Sequence, residues 1–286
     1  MNPVSLYLQR SLMTIRGFES QPNSSPLTVC LHGWLDNSYS FKPLSEHLHQ
    51  IHLLSIDLPG HGESDRIPPG QTYDFHQYLV WLYELQVATE ASEIRLIGHS
   101  MGAAIASLYA GVFPEKVSSL VLIDGLGPLS IDESEGPKRM RTHIESWCHR
   151  KPARNSVFND FEAAVNARLK AGSLHRPSAE ILAQRGTRLQ DDGSYIWCHD
   201  PRMKLPSRYQ FSQAQVLSYF RNISCPSLLI QGSKSMLPQN QIITDRMQAI
   251  SKLEHQVLEG GHHVHLDAAA NTASLIQEFF AKTKNS

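Results

Sequence analysis

Gly98-His99-Ser100-Met101-Gly102 constrains this chain more than any other stretch. The preceding Ile94-Arg95-Leu96-Ile97 reads as a strand, and the following Ala103 to Ala110 reads as a helix. A serine caught between the two must sit in a sharp strand-to-helix turn with a strained backbone. Glycines two positions to either side leave room for such a turn. The turn lifts the Ser100 Oγ off the edge of a sheet, and Ser100 is therefore a candidate nucleophile. The Met101 N–H then lies at a helix N-terminus, where it can face a developing oxyanion. The bland alternative is a glycine-rich turn with an idle serine.

The rest of the chain repeats the rhythm. Strand-like runs occur at 12–17, 27–31, 53–56, 117–123, 227–230 and 255–258, and helical spacing at 38–49, 74–90, 239–250 and 267–282. Leu27-Thr28-Val29-Cys30-Leu31 is almost continuously apolar, as a strand covered on both faces is. Strands alternating with helices predict an α/β protein with a mostly parallel, doubly wound sheet. The rhythm breaks at 127–215, which reads as polar or helical without a buried-strand pattern. We therefore expect a core of 1–126 and 216–286, with a helical lid at 127–215 inserted after the strand that ends at Asp124. Ligands bind at the C-terminal ends of such strands, so the lid should cover Ser100.

Composition removes several function classes. Formal net charge is −1, so no global field favours nucleic acid or a membrane surface. Within 130–208, 14 Lys and Arg stand against 10 Asp and Glu, which makes this stretch mildly basic on a mildly acidic body. The four cysteines (Cys30, Cys148, Cys198 and Cys225) form no C-x-x-C pair; reduced thiols and a cytoplasmic location are expected. Residues 1–20 lack the apolar stretch of a signal peptide, and no run approaches the ~20 apolar residues of a membrane span. The expected partner is a small ester-like molecule, with no cofactor, no metal, no nucleic acid and no membrane insertion, on a monomer or homodimer.

A serine nucleophile needs a base, and the base needs an orienting carboxylate. Three histidines compete after the last strand, in Gly261-His262-His263-Val264-His265. Gly261 permits a tight turn that would aim His262 back across the sheet edge.

His32-Gly33, Asp57-x-x-Gly60-His61-Gly62-x-Ser64, Gly98-x-Ser100-x-Gly102 and Gly261-His262 occur in the order seen in the α/β-hydrolase superfamily, which this chain resembles over nearly its whole length outside the lid. His32 to Asn37, Gln184-Arg185-Gly186-Thr187 and Asp200-Pro201-Arg202-Met203 are similar to the serine-hydrolase-like (Kraken-type) branch. The resemblance implies a cofactor-free serine hydrolase without fixing its substrate. It places the base directly after the glycine, at His262, with His263 as the fallback or a pocket neighbour. Most relatives carry the acid in a Gly-x-x-Asp string after the strand at 228–230. Here that string is Gly232-Ser233-Lys234-Ser235, and a serine cannot stabilise an imidazolium as a carboxylate does. Some superfamily members place the acid one strand earlier, which points to Asp124; the alternative is an aspartate that caps the turn into the lid.

The second oxyanion donor is expected from the Trp34 N–H, in the loop that Gly33 lets approach a substrate. Trp34, His99, His263, Arg185 and Arg202 are the candidate substrate contacts, while His32, Asp57 and His61 are expected to order loops. The favoured function is cleavage of a carboxylic ester or related acyl bond through an acyl-enzyme. The alternatives are a low-turnover binding or sensing protein, motivated by Ser235, and a cofactor-free perhydrolase or haloperoxidase-like enzyme.

Overall fold

In a computed structural model that describes residues 1–22, 24, 26–149, 154–172 and 174–283, eight strands form one sheet in the order β1-β2-β4-β3-β5-β6-β10-β11. These are β1 (Asn2–Leu8), β2 (Met13–Ser20), β3 (Thr28–Leu31), β4 (Leu53–Ile56), β5 (Ile94–His99), β6 (Val117–Ile123), β10 (Ser227–Gly232) and β11 (Leu253–Leu258). β2 pairs antiparallel with β1 and β4; every other pairing in this sheet is parallel. β3, β4 and β5 are buried at every position, which is why their sequences read as apolar runs rather than alternations.

Helices cover both faces. α2 (Phe75–Ala88), α3 (Met101–Val112) and α7 (Gln213–Arg221) bury Leu82, Leu85, Ile105, Tyr109 and Phe220 on one side. α1 (Lys42–His47) and α10 (Ala269–Thr283) bury Leu44, Ile276, Phe279 and Phe280 on the other, and α8 (Gln241–Ala249) joins β10 to β11. Each such side chain withdrawn from water contributes about 1.5–3 kcal/mol. α3 packs closely on the sheet because its first turn is small: a Cβ on Gly102 would stand 1.9 Å from the Leu31 carbonyl oxygen.

Two sequence expectations are revised. Residues 2–8, which lie before the first expected strand at 12–17, form the edge strand β1; its outward positions are exposed, and its pairing with β2 supplies the order that its composition does not. The segment between β6 and α7 is not wholly helical. Besides α4 (Gly136–His149), α5 (Phe161–Ala171) and α6 (Arg176–Gly186), it holds a small antiparallel sheet of β7 (Val157–Phe158), β8 (Thr187–Leu189) and β9 (Tyr195–Trp197). Strands of two or three residues are too short for their periodicity to register. α5 and α6 build a separate apolar cluster from Val165, Leu174, Ala179, Leu182 and Ala183, which closes on Leu266 in α9 (Val264–Asp267). Polar ties fasten the same segment to the body. The Asn37 amide donates to the Leu182 carbonyl at 2.9 Å, the Ser178 hydroxyl to Asp267 at 2.5 Å, and Tyr73 O–H to Asp200 at 2.9 Å.

Candidate active site

Ser100 stands between β5 and α3 with φ 52° and ψ −111°, a backbone region that L-residues rarely occupy. The turn is held from both flanks. The Ser100 N–H donates to the Ile123 carbonyl at 3.0 Å, and a Cβ on Gly98 would come within 2.4 Å of the Gly102 carbonyl oxygen. The two flanking glycines are therefore a steric requirement of this turn. Strain of this kind, of order 1–3 kcal/mol, persists where the surroundings over-determine it.

His262 follows β11 and points back along the sheet edge. Its Nε2 lies 3.0 Å from the Ser100 Oγ and its Nδ1 2.6 Å from the Asp124 Oδ2. The carboxylate only accepts, so Nδ1 carries the proton and Nε2 is free to accept from the serine hydroxyl. The Asp124 side chain is out of solvent, while that of His262 is 18% exposed. Asp124 terminates β6 at φ 45°. Its N–H donates to the Ile230 carbonyl at 2.8 Å, and its Oδ1 accepts from the Gly232 N–H at 3.1 Å. β10, from whose end the acid is absent, thus supports a carboxylate that comes from β6. Ser235 turns its hydroxyl onto its own loop, accepting from the Leu237 N–H at 2.9 Å.

The loop after β3, which carries Trp34, is pinned by buried polar groups. His32 Nδ1–H donates to the Gly33 carbonyl at 2.8 Å, and its Nε2 accepts from the Leu58 N–H at 2.9 Å. His61 Nε2 accepts from the Leu35 N–H at 3.2 Å. Asp57 accepts from the Ser38 and Glu63 N–H groups at 2.7 and 2.9 Å. Burial lowers the pKa of both His32 and His61, in keeping with neutral rings that each offer an acceptor nitrogen. Trp34 is 53% exposed, and the Met101 N–H opens α3 directly after Ser100.

The remaining candidates sit differently from expectation. Arg185 and Arg202 are taken up by the protein's own carboxylates. The Arg185 Nε donates to both Asp57 oxygens, at 3.1 and 2.9 Å, and its Nη2 lies 3.1 Å from Glu63. Arg202 holds Asp200 at 2.7 Å and donates to the Pro68 carbonyl at 2.7 Å. Both guanidinium groups join the 127–215 segment to loops of the body. His99 and His263 are buried, and both face Asp36. His263 Nε2 lies 3.2 Å from the Asp36 Oδ2, and His99 Nδ1 lies 3.7 Å from it. Arg168, on α5, pairs with the Asp36 Oδ1 and comes within 3.3 Å of His263 Nε2.

Sequence reading passed over Asp36 and Arg168 as functional groups, and no local pattern marks a pair 132 positions apart. Asp36, His99 and His263 bring three donor atoms within 4.8 Å of one another, a spacing that a metal ion can use. Arg168 already supplies a positive charge there, so the group is compensated as it stands. Burial alone would raise the Asp36 pKa; the Arg168 guanidinium, followed by His263, overcomes it and holds this carboxyl well below the usual range.

The α/β-hydrolase fold family model matches residues 26–269. A serine hydrolase-like protein of Dictyostelium discoideum is 30% identical, over 92% of this chain and 77% of its own length. A probable serine hydrolase of Drosophila melanogaster is also 30% identical, over 88% of this chain and 80% of its own. Among solved structures, a hypothetical protein of Pseudomonas aeruginosa PAO1 superposes with a TM-score of 0.90 at 31% identity, covering 98% of this chain and all of that one.

Proposed function

The chain belongs to the α/β-hydrolase family, in its serine-hydrolase-like branch, and from that premise we propose that it cleaves a carboxylic ester or a related acyl bond through an acyl-enzyme on Ser100. The observation that carries this reading is the hydrogen-bonded line from Ser100 Oγ through His262 to Asp124. The fold and the relatives' names support a hydrolase; the bond cleaved is our inference from the site.

In this reading His262 Nε2 takes the Ser100 proton as Oγ attacks the carbonyl carbon. Asp124 stabilises the imidazolium and fixes its tautomer. The negative charge on the former carbonyl oxygen falls to the Met101 and Trp34 N–H groups, each worth roughly 2.7–4 kcal/mol in comparable sites. His262 then returns the proton to the leaving alcohol. Water, deprotonated by the same ring, attacks the acyl group and releases the acid with Ser100 restored. A serine at this turn, where an aspartate would form an alkyl ester, points to acyl rather than alkyl transfer. Residues 127–215 act as the cap over this edge. Asp124 at His262 Nδ1 offers the carboxylate that position 235 lacks, which supports turnover over a binding role.

The test is labelling with a fluorophosphonate followed by peptide mapping, together with a series of p-nitrophenyl esters of increasing acyl length. We expect one adduct, on Ser100, and hydrolysis that Ser100→Ala abolishes. A folded protein that neither labels nor turns over any ester would overturn the reading. The chain-length profile measures the acyl pocket.

A further inference from the structure

We propose that Asp36 is a positioning residue for this reaction: its carboxylate, clamped by Arg168 from the 127–215 segment, seats the loop that carries the Trp34 N–H against the main chain of His262. The proposal rests on the hydrolase reading for its effect on rate, but not for the clamp itself.

Four elements converge on Asp36. The loop after β3 brings the carboxylate itself, and the Asp36 N–H donates to the Gly33 carbonyl at 3.1 Å, closing a turn around Trp34. α5 brings Arg168 to Oδ1. The turn after β11 brings His263, whose Nε2–H donates to Oδ2 at 3.2 Å. β5 brings His99, one residue before Ser100; its Nε2–H donates to the His262 carbonyl at 2.9 Å, while its Nδ1 faces Oδ2 from 3.7 Å. The His265 ring packs behind His99, at 4.2 Å between centroids, and its Nε2 lies 2.7 Å from the Ser40 Oγ.

Gly33 shows how closely the backbone rests on this group. A Cβ there would stand 2.8 Å from His99 Nδ1 and 3.0 Å from the Asp36 Oδ2. The Gly33–Trp34 backbone therefore lies directly on the carboxylate and on the ring that holds His262. Moving Asp36 shifts both the proposed oxyanion donor and the main chain of the proposed base.

The burial pattern fits a positioning role better than a binding one. The Asp36 side chain is 2% exposed and that of His99 is fully enclosed, so neither meets substrate directly. Arg168 is the only arginine or lysine paired with the Asp36 carboxylate among the described residues, and it belongs to the segment proposed as the cap. Packing of α5 against the body places the charge that fixes the loop. Cap seating and completion of the oxyanion site thus become one event, because a carboxylate buried without its cation would be driven to move or to take up a proton.

The experiment compares wild-type protein, Arg168→Gln, Arg168→Lys and Asp36→Asn/Arg168→Gln by hydrogen exchange of the 32–38 peptide and by ester kinetics. Arg168→Gln is expected to exchange the Leu35 and Asp36 amides at least tenfold faster and to lower kcat by roughly 10- to 100-fold, with KM changed less than about threefold, as small misplacements at a reacting centre do. A merely structural role would instead reduce the folded fraction and leave the kcat of folded enzyme alone. Arg168→Lys should recover most of both readouts, since a single nitrogen makes the contact. The double variant removes both charges together and so leaves no unpaired buried charge; its exchange should equal that of Arg168→Gln. Unchanged exchange in Arg168→Gln, or an unchanged kcat in an active enzyme, would overturn the clamp. Faster exchange in a protein whose wild type never labels at Ser100 would leave the clamp standing and sink the hydrolase reading.

Discussion

His262 and His263 are neighbours in the chain, and each holds a buried aspartate, yet they sit in opposite situations. His262 has Asp124 on one nitrogen and the Ser100 hydroxyl on the other, with part of its ring open to solvent. His263 has Asp36 on Nε2 and no hydrogen-bond partner for Nδ1 among the described residues, and Arg168 already neutralises its carboxylate. An Asp–His pair is thus not sufficient for acid–base chemistry. What separates the two is the group at the second nitrogen, and whether the carboxylate's charge is left for the ring to use or is spent on a cation.

The contrast can be broken most forcefully at the His262 end, where the proposed triad lies. Ser100→Ala and His262→Gln should each cost about 10⁴-fold or more in kcat, and their combination little beyond either alone, as groups that act as a unit do. Additive losses would mean that the two act separately. Asp124→Asn should lower kcat by up to about 10⁴-fold with KM little changed, because the amide favours the wrong tautomer. A loss under tenfold would reduce Asp124 to a turn cap.

At the other end, His263→Gln should leave kcat within about tenfold of wild type while lowering stability by roughly 1–3 kcal/mol, the cost of an unpaired buried polar group. Paired ester assays and denaturant titrations read both numbers, and a loss as large as that of His262→Gln would erase the distinction. Acid sharpens it further. Burial first, and then a neighbouring histidine, holds the pKa values of His61, His99 and His265 well below the ordinary value. The unfolded chain protonates these rings as pH falls through about 6.5, and the folded one does not. Stability is therefore present above that pH and is lost below it, by up to about 1.4 kcal/mol per pH unit for each ring. Calorimetry from pH 7.5 to 5 should show a falling Tm, and a flat Tm would place water or compensating donors around the cluster. The smallest effect is expected at Ser235→Ala, within about twofold of wild-type kcat.

Much of this was legible in the chain. All-buried strands read as apolar runs because both sheet faces are covered, and the turn at Ser100 announced itself through glycines whose absent side chains are a steric necessity. Asp124 was legible once Ser235 had been found where an aspartate was expected. β1 was not, because its order comes from pairing rather than from a continuous apolar face. Arg185 and Arg202 stood out as substrate contacts because they lie in strings similar to the serine-hydrolase-like branch, but each is held in an ion pair within the protein. The Asp36–Arg168 contact left no trace, since charges that meet across 132 positions carry no periodicity.

The carboxylate's place on β6 has one more consequence. β10 reaches it only through the peptide groups of Ile230 and Gly232, and Ser233 and Lys234 brace the turn before His262, so the stretch from 236 to 239 supplies nothing to the proposed triad or to the turn that carries its histidine. That stretch is where a peptide tag, a fluorophore or new chain termini can be grafted onto this scaffold while its chemistry is left intact.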